Sequence, residues 1–341
     1  MSAILYSSVD SPLSQVPGAL LTTVARKEAL IELGKALRDS GYHFVTSTPA
    51  THKRVNDRAP NAWSTGVTDI LGWSRPFRKD AIAPDFLDLM HDAGVVHMHE
   101  DGWISAVRVS TLNGQHYFHS AFPTDDSDAV FFGPDTYRFV RALAAALVPL
   151  HACVRRAVDI GCGAGPGAIS IALACPQAEV LATDINDHAL QLTAVNAELA
   201  GATNILVRNS DLLQQVQGSF DLITSNPPYL LDRNQRAYRH GGGELGGGLS
   251  LAIVDAAIER LTPGGRLMLY TGVAIVDGVD AFRDAAGARL DRHGFDWQYE
   301  EIDPDVFGEE LDEPAYAQAQ RIAAVWLIAT KPDKTRETTN A

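Results

Sequence analysis

The sequence predicts an α/β fold. A doubly wound, mostly parallel sheet occupies residues 136–331, and a smaller, largely helical portion precedes it. Three observations predict this. Strand-like runs fall near 156–160, 179–184, 204–208, 220–225, 265–271, 295–301 and 321–330, with helical runs such as 249–262 between most of them. Alternation of this kind builds parallel sheets covered by helices. The run Arg156-Ala157-Val158-Asp159-Ile160 passes through a glycine-rich stretch, 161–167, into the apolar helical run 168–174. Finally, the strand-like run 220–225 stops at Asn226-Pro227-Pro228-Tyr229, because proline cannot continue a strand's hydrogen-bond ladder.

The elements follow in order. Residues 1–20 read as loosely ordered, with Pro12 and Pro17 among small polar residues. A helix is expected over 23–39, with Leu30, Leu33 and Leu37 on one face and Gly41 as its stop. A second helix starts near Pro84 and ends at Gly94. Strands are then expected at 95–99, 103–109 and 115–119, joined by the turn signals Asp101-Gly102 and Asn113-Gly114. Helices followed by a small meander suggest a winged-helix-like N-terminal domain over 1–121, serving substrate recognition or docking. Residues 122–135 read as a linker, marked by Pro123, Asp125, Asp126 and Asp128. Asp135 is expected to cap a helix to about residue 148, with Tyr137, Val140, Leu143 and Leu147 as its apolar face. The catalytic domain then spans 136–331, and 332–341 is a polar tail.

Four features carry chemistry. Gly161, Gly163 and Gly165 allow positive φ and close approach of a ligand to the backbone, as in nucleotide-binding strand–loop–helix units. The loop departs from the dinucleotide pattern, because Pro166 stands where that helix begins. Asp159, just before the loop, would repel a pyrophosphate and attract an ammonium group. Asp184 ends the second strand, next to Ile185, where an acid can accept both hydroxyls of a ribose. Asp211 follows the third strand, placed either to hold an adenine amino group or to cap the next turn. Asn226-Pro227-Pro228-Tyr229 offers unclaimed carbonyls, an amide side chain and a flat ring, which suit a planar substrate bearing an –NH2.

In this order, the residues resemble those of class I S-adenosylmethionine-dependent methyltransferases, which have a Rossmann-like seven-stranded sheet. The tetrad resembles the amino-methylating branch. That branch includes HemK-type glutamine methyltransferases of release factors, adenine-N6 DNA methyltransferases and guanine-N2 rRNA enzymes of the "methyltransferase small domain" type. The resemblance covers roughly 130–331. It implies S-adenosyl-L-methionine as cofactor, with Gly161, Gly163 and Gly165 along its methionine and ribose. Asp159 would face its amino group, Asp184 its ribose and Asp211 its adenine, with Ile185 and Asn226 also contacting the cofactor. Asn226 and the Pro227 carbonyl would hold the target nitrogen beside the cofactor, Pro228 would stiffen the corner, and Tyr229 would stack on the target plane. The last two strands would form an antiparallel hairpin at the sheet edge. Phe132-Gly133-Pro134-Asp135-Thr136-Tyr137 partly matches the HemK-type segment that covers the cofactor, but lacks its Arg-Pro-Glu-Thr-Glu. The acidic-proline segment that follows the tetrad in those enzymes is replaced by a glycine-rich loop through 240–248, expected to move on substrate binding. The acceptor is therefore expected to be macromolecular: a protein glutamine or, alternatively, an exocyclic amine in RNA or DNA. A nucleotide-binding oxidoreductase and a cofactor-binding module without turnover are the rivals.

Composition sets limits. The net charge is −14, yet bases and acids nearly balance in residues 1–120, at 11 against 12. The acidic excess lies in the later part and peaks at 300–313, which contains no base and would repel nucleic-acid phosphate. That run reads either as a solvated loop or as a docking site for a basic partner. Lys53, Arg54, Arg58, Arg75, Arg78 and Lys79 make 51–79 locally basic, a segment that could touch RNA. Cys153, Cys162 and Cys175 show no C-x-x-C spacing, and no run resembles a signal peptide or a membrane span. A cytoplasmic setting is expected. His97 and His99 read as surface residues, and no metal site is expected.

Overall fold

The structure, a computed structural model, describes residues 23–150, 152–232, 236 and 238–333. The expected loose start, 1–20, and the tail from 334 onward lie outside these. Helix α1 (Thr23–Asp39) buries Leu33 and Leu37. It ends where Gly41 takes φ +73° and the Tyr42 N–H closes onto the Leu37 carbonyl at 3.0 Å. Two further helices lie outside the sequence expectation, α2 (Pro49–Asn56) and α3 (Val67–Leu71). The first had a legible start: Thr48 Oγ1 accepts the Thr51 N–H at 3.2 Å, and Pro49 opens the helix. Helix α4 (Pro84–Asp92) lies near its expected place.

The expected meander is instead two separate ladders. Strands β1 (Val96–His99) and β2 (Gly102–Ser105) pair antiparallel, as do β3 (Val107–Leu112) and β4 (Gln115–Ser120). The single strand expected at 103–109 breaks at Ala106. There the Ser105 hydroxyl bonds both the N–H and the carbonyl of Val107, and so competes with the ladder. The Asn113-Gly114 turn forms as read, both residues having positive φ.

The remaining elements are α5 (Pro134–Leu147), β5 (Arg156–Ile160), α6 (Pro166–Ala174), β6 (Glu179–Asp184), α7 (Asp187–Leu199), β7 (Ile205–Asn209), β8 (Phe220–Ser225), α8 (Gly248–Arg260), β9 (Leu261–Val276), β10 (Val279–Asp280), α9 (Ala281–Arg292), β11 (Asp296–Asp303) and β12 (Ala319–Thr330). Seven strands follow the order β11-β12-β9-β8-β5-β6-β7, and the two-residue β10 adds to β9 as an eighth. Of the seven, β12 alone runs opposite to the rest. The chain winds outward from β5 through β6 to β7, then returns to lay β8 on the other side of β5. That reversal opens a crevice at the carboxyl ends of β5 and β8, where α/β sheets take their ligands.

Alternate residues of the sheet face two apolar layers. Val158, Ile223, Leu267 and Val325 pack with α8 and α9. Ala157, Leu222, Met268 and Trp326 belong to a core that continues through α5–α7 into Leu33, Phe77 and Phe118 of the first half. Asn196 on α7 stitches this junction. Its Oδ1 accepts the Phe118 N–H at 2.8 Å, and its Nδ2 donates to the Phe118 carbonyl at 3.0 Å and the Ala164 carbonyl at 2.8 Å. The first half is thereby tied to the glycine loop. The acidic run is also less free than its composition implied. Glu301 pairs with Arg321, Asp303 with Arg138 and Glu310 with Arg239. No helix among the described residues is long and apolar enough to cross a membrane.

Candidate active site

The crevice at the strand reversal has a volume of about 1070 Å³ including its open mouth. A smaller cavity of about 440 Å³ adjoins it, with Asn226, Pro227 and Pro228 on the wall they share. Gly161, Gly163 and Gly165 take φ of +68°, +55° and +86°, and Gly165 caps α6. A Cβ on Gly161 or Gly163 would meet nothing within 4 Å, so the loop's backbone stands open to a ligand. A Cβ on Gly165 would instead press on Thr193 at 2.9 Å, so this third glycine serves packing.

Asp159 is 2% exposed and accepts the Ala168 N–H at 2.8 Å, near the start of α6. Burial pushes its carboxyl up to about 7, and the nearby Asp184 adds to the rise. A Cβ on Gly167 would lie 2.6 Å from Asp159 Oδ2, so the absence of a side chain there makes room for the carboxylate. Asp184 accepts the Gly163 N–H at 3.0 Å and the Asn186 N–H at 2.9 Å, and burial raises its pKa as well. Ile185 lies on the rim, 58% exposed. Asp211 is exposed on the rim and holds Gln214 Nε2 at 2.9 Å. It lines the crevice, and its side chain bonds that of Gln214 in its own turn. The structure thus gathers Asp159, Asp184 and Asp211 around one crevice, and no described residue lining it is basic. Such a lining complements a cation and opposes a pyrophosphate.

Asn226 leaves the end of β8 half-buried and lines both cavities. The corner is braced from beneath. A Cβ on Gly241 would collide with the Pro228 carbonyl at 2.7 Å and with Tyr229 Cα at 2.7 Å. The glycine-rich loop, expected as a mobile element, packs directly on the corner. Tyr229 differs from its expected role. Its ring is buried on Gly272, where a Cβ would come within 2.3 Å, and it packs on Tyr270 and Phe307. Two prolines ahead of it direct the chain inward, so the ring supports the corner largely from behind, while the residue still lines the smaller cavity.

Three site residues escaped the sequence reading in these roles. Asp135 does not cap α5, which begins after Gly133; it turns inward as the helix's second residue. There it accepts the Tyr270 hydroxyl at 2.6 Å on the wall of the smaller cavity. Burial raises its pKa. Phe131 and Tyr238 line both cavities and stack on each other. Phe131 lay in a stretch read as linker, and only the tertiary fold brings Tyr238 to it. Outside the crevice, His97 and His99 sit on β1, and no cluster of three ligating side chains occurs among the described residues.

The family "Methyltransferase small domain" matches residues 139–273. A release factor glutamine methyltransferase of Bordetella pertussis is 31% identical over 220 residues, covering 59% of this chain and 81% of that protein. The Deinococcus radiodurans enzyme of the same name is 36% identical over 165 residues, covering 46% of this chain and 55% of that one. The Xylella fastidiosa enzyme is 36% identical over 133 residues, covering 36% and 48%. The chain spans about half the length of these last two relatives. Among solved structures, a tRNA m1G37 methyltransferase of M. jannaschii is similar at a TM-score of 0.46 and 18% identity, over 67% of this chain and 57% of that one.

Proposed function

This chain belongs to the family of release factor glutamine methyltransferases, and we propose that it methylates the side-chain amide nitrogen of a protein glutamine, with S-adenosylmethionine as donor. The observation that carries the reading is Asn226, placed at the junction of an acid-lined crevice and a second, smaller cavity. The crevice fits the donor. Its open glycine backbone, its volume and its three carboxylates without a base suit a nucleoside carrying sulfonium and ammonium charges. Gly161 and Gly163 would lie along the donor, with Asp159 toward its ammonium, Asp184 toward its ribose and Asp211 toward its base. When bound, the donor supplies an electrophilic methyl group.

The chain's own residues prepare the nucleophile. An amide nitrogen attacks poorly, because its lone pair is conjugated with the carbonyl. Asn226 Oδ1 and the Pro227 carbonyl accept its two N–H bonds, turn the lone pair toward the methyl carbon and stabilise the positive charge that grows on nitrogen. The rigid diproline holds this geometry, and alignment of this kind supplies up to roughly 7–11 kcal/mol. With the amide nitrogen held by Asn226 and Pro227, its carbon–nitrogen bond to the methyl would form as the donor's carbon–sulfur bond broke, and the surplus proton on nitrogen would pass to water. No strong general base is required. Residues 1–121, whose Phe118 is tied to the glycine loop through Asn196, are assigned to docking the acceptor protein. A reducing cytoplasm suits the unpaired Cys153, Cys162 and Cys175.

The test uses labelled donor and an extract of cells lacking the protein. Label released by protease and retained through nuclease supports the reading, and nuclease-sensitive label overturns it. Asn226→Ala is expected to lower turnover about 100- to 1,000-fold, with donor affinity within about threefold of wild type. Parallel loss of both would give Asn226 a structural role.

A further inference from the structure

Asp135 is a buried acid on the wall of the smaller cavity, which Asn226 and Pro227 also line. Its hydrogen bonds fall on one oxygen. Oδ1 accepts the Tyr270 hydroxyl at 2.6 Å and Arg138 Nη1 at 3.3 Å, whereas Oδ2 accepts none from a described residue. Arg138 is shared, since its Nη2 holds Asp303 at 2.8 Å. The Tyr229 hydroxyl, beside the same carboxylate, lowers its pKa yet falls short of a hydrogen bond. The other charged residue described on this wall, Arg239, is engaged by Glu310 and Asp232. A carboxylate that only braced Tyr270 would be expected to have both oxygens paired at 4% exposure, because an unpaired buried acceptor is costly.

We infer that Asp135 is a further catalytic residue of this protein: its Oδ2 meets the acceptor nitrogen in the smaller cavity and receives the proton that the nitrogen sheds after methyl transfer. The inference rests on the glutamine reading above and adds the group through which that proton reaches water. Once methylated, the nitrogen is tetrahedral and cationic, and its N–H bonds leave the amide plane. One N–H bond breaks with its electron pair staying on nitrogen, and an O–H bond forms at Oδ2. The neutral acid then releases the proton to water, which restores the carboxylate. Before that step, the buried negative charge offsets the positive charge growing on nitrogen, in a setting where charges are weakly screened. Burial raises the pKa of Asp135, which makes it a better proton acceptor than an ordinary carboxylate.

The experiment uses the whole chain in excess over acceptor sites, saturating labelled S-adenosylmethionine, and an extract of cells lacking the protein. It compares the rate of macromolecular labelling by wild type, Asp135→Asn and Tyr270→Phe. Asparagine keeps an acceptor for Tyr270 and Arg138 and lacks the charge. At pH 8, Asp135→Asn is expected to be about 100-fold slower than wild type, with affinity for S-adenosylhomocysteine within about threefold. Tyr270→Phe keeps the carboxylate and is expected to lose at most about fivefold. As pH falls from about 8 to about 5, wild type loses its carboxylate and Asp135→Asn has none to lose, so the ratio of their rates shrinks. Both proteins keep the groups around this position: Arg138 on the same helix, Tyr270 on β9, Tyr229 at the corner, Asp303 of β11 behind Arg138, and Arg239 on the cavity wall. Asp159 and Asp184 are likewise common to both, so the ratio isolates Asp135. A rate for Asp135→Asn within about threefold of wild type, a ratio constant with pH, an equal loss in Tyr270→Phe, or loss of S-adenosylhomocysteine binding by Asp135→Asn overturns the inference. Nuclease-sensitive label sinks the glutamine reading, and the same rates still judge Asp135. Wild type that labels nothing overturns both.

Discussion

Asp159 and Asp232 are the same residue type, 2% and 8% exposed, and they titrate in opposite directions. Asp159, at the crevice, is raised to about 7 by burial, with one backbone N–H to offset it and Asp184 nearby. Asp232, in the loop after the diproline corner, is held down to about 2 by hydrogen bonds from Arg236. Arg239 lies 3.5 Å from the same carboxylate and reaches on to Glu310. Burial alone therefore does not set the charge of an acid; the cation within reach does. In that loop, Arg236 and Arg239 supply the cations for Asp232. The crevice is left short of positive charge, which is the charge a sulfonium donor would bring.

The largest effect that sharpens this contrast is expected from Asp159→Asn. The folded-state pKa of Asp159 lies above its ordinary value. Its stabilising contribution is therefore complete below about pH 4 and is lost as pH rises through about 7. An asparagine still accepts the Ala168 N–H and carries no charge. Unliganded Asp159→Asn should therefore be more stable than wild type by about 4 kcal/mol at pH 8 in urea unfolding, and the gain should vanish near pH 4. Its affinity for S-adenosylhomocysteine should fall by at least about tenfold. A loss of stability at pH 8 would break the comparison.

Asp232→Asn should act with the opposite sign and a smaller size. The depressed pKa of Asp232 means that its contribution is complete above about pH 4 and is lost as pH falls through about 2. The variant should lose about 2 kcal/mol at pH 7, and the deficit should shrink as the pH of the unfolding series approaches 2. Asp135 lies between the two cases, raised by burial yet held by the Tyr270 hydroxyl at 2.6 Å and Arg138 at 3.3 Å. Tyr270→Phe removes one neutral donor and should cost about 1 kcal/mol in the same assay. A cost as large as that of Asp232→Asn would show that Arg138 contributes little to holding this carboxylate.

The middle of the sheet was legible because its strands are buried and read as apolar runs with turn residues between them. Strands 156–160, 179–184 and 220–225 stand where the sequence placed them. The glycine loop and the Asn-Pro-Pro corner were equally legible, since φ and hydrogen-bonding capacity belong to the residues themselves. The first half was harder to read. Helices α2 and α3 are short, and the strand expected at 103–109 is broken by a local serine bond.

Local chemistry thus settled the fold class, the strand order's raw material and the backbone of the crevice, because glycine, proline and apolar periodicity act over a few residues. The direction of side chains across long loops was decided only by packing. Tyr229 turned inward onto Gly272, and Asp135 turned onto Tyr270. Phe131 met a ring 107 positions away in the chain. Such pairings depend on which faces the sheet brings together and on which buried charges find a counter-ion, and those are properties of the closed tertiary structure.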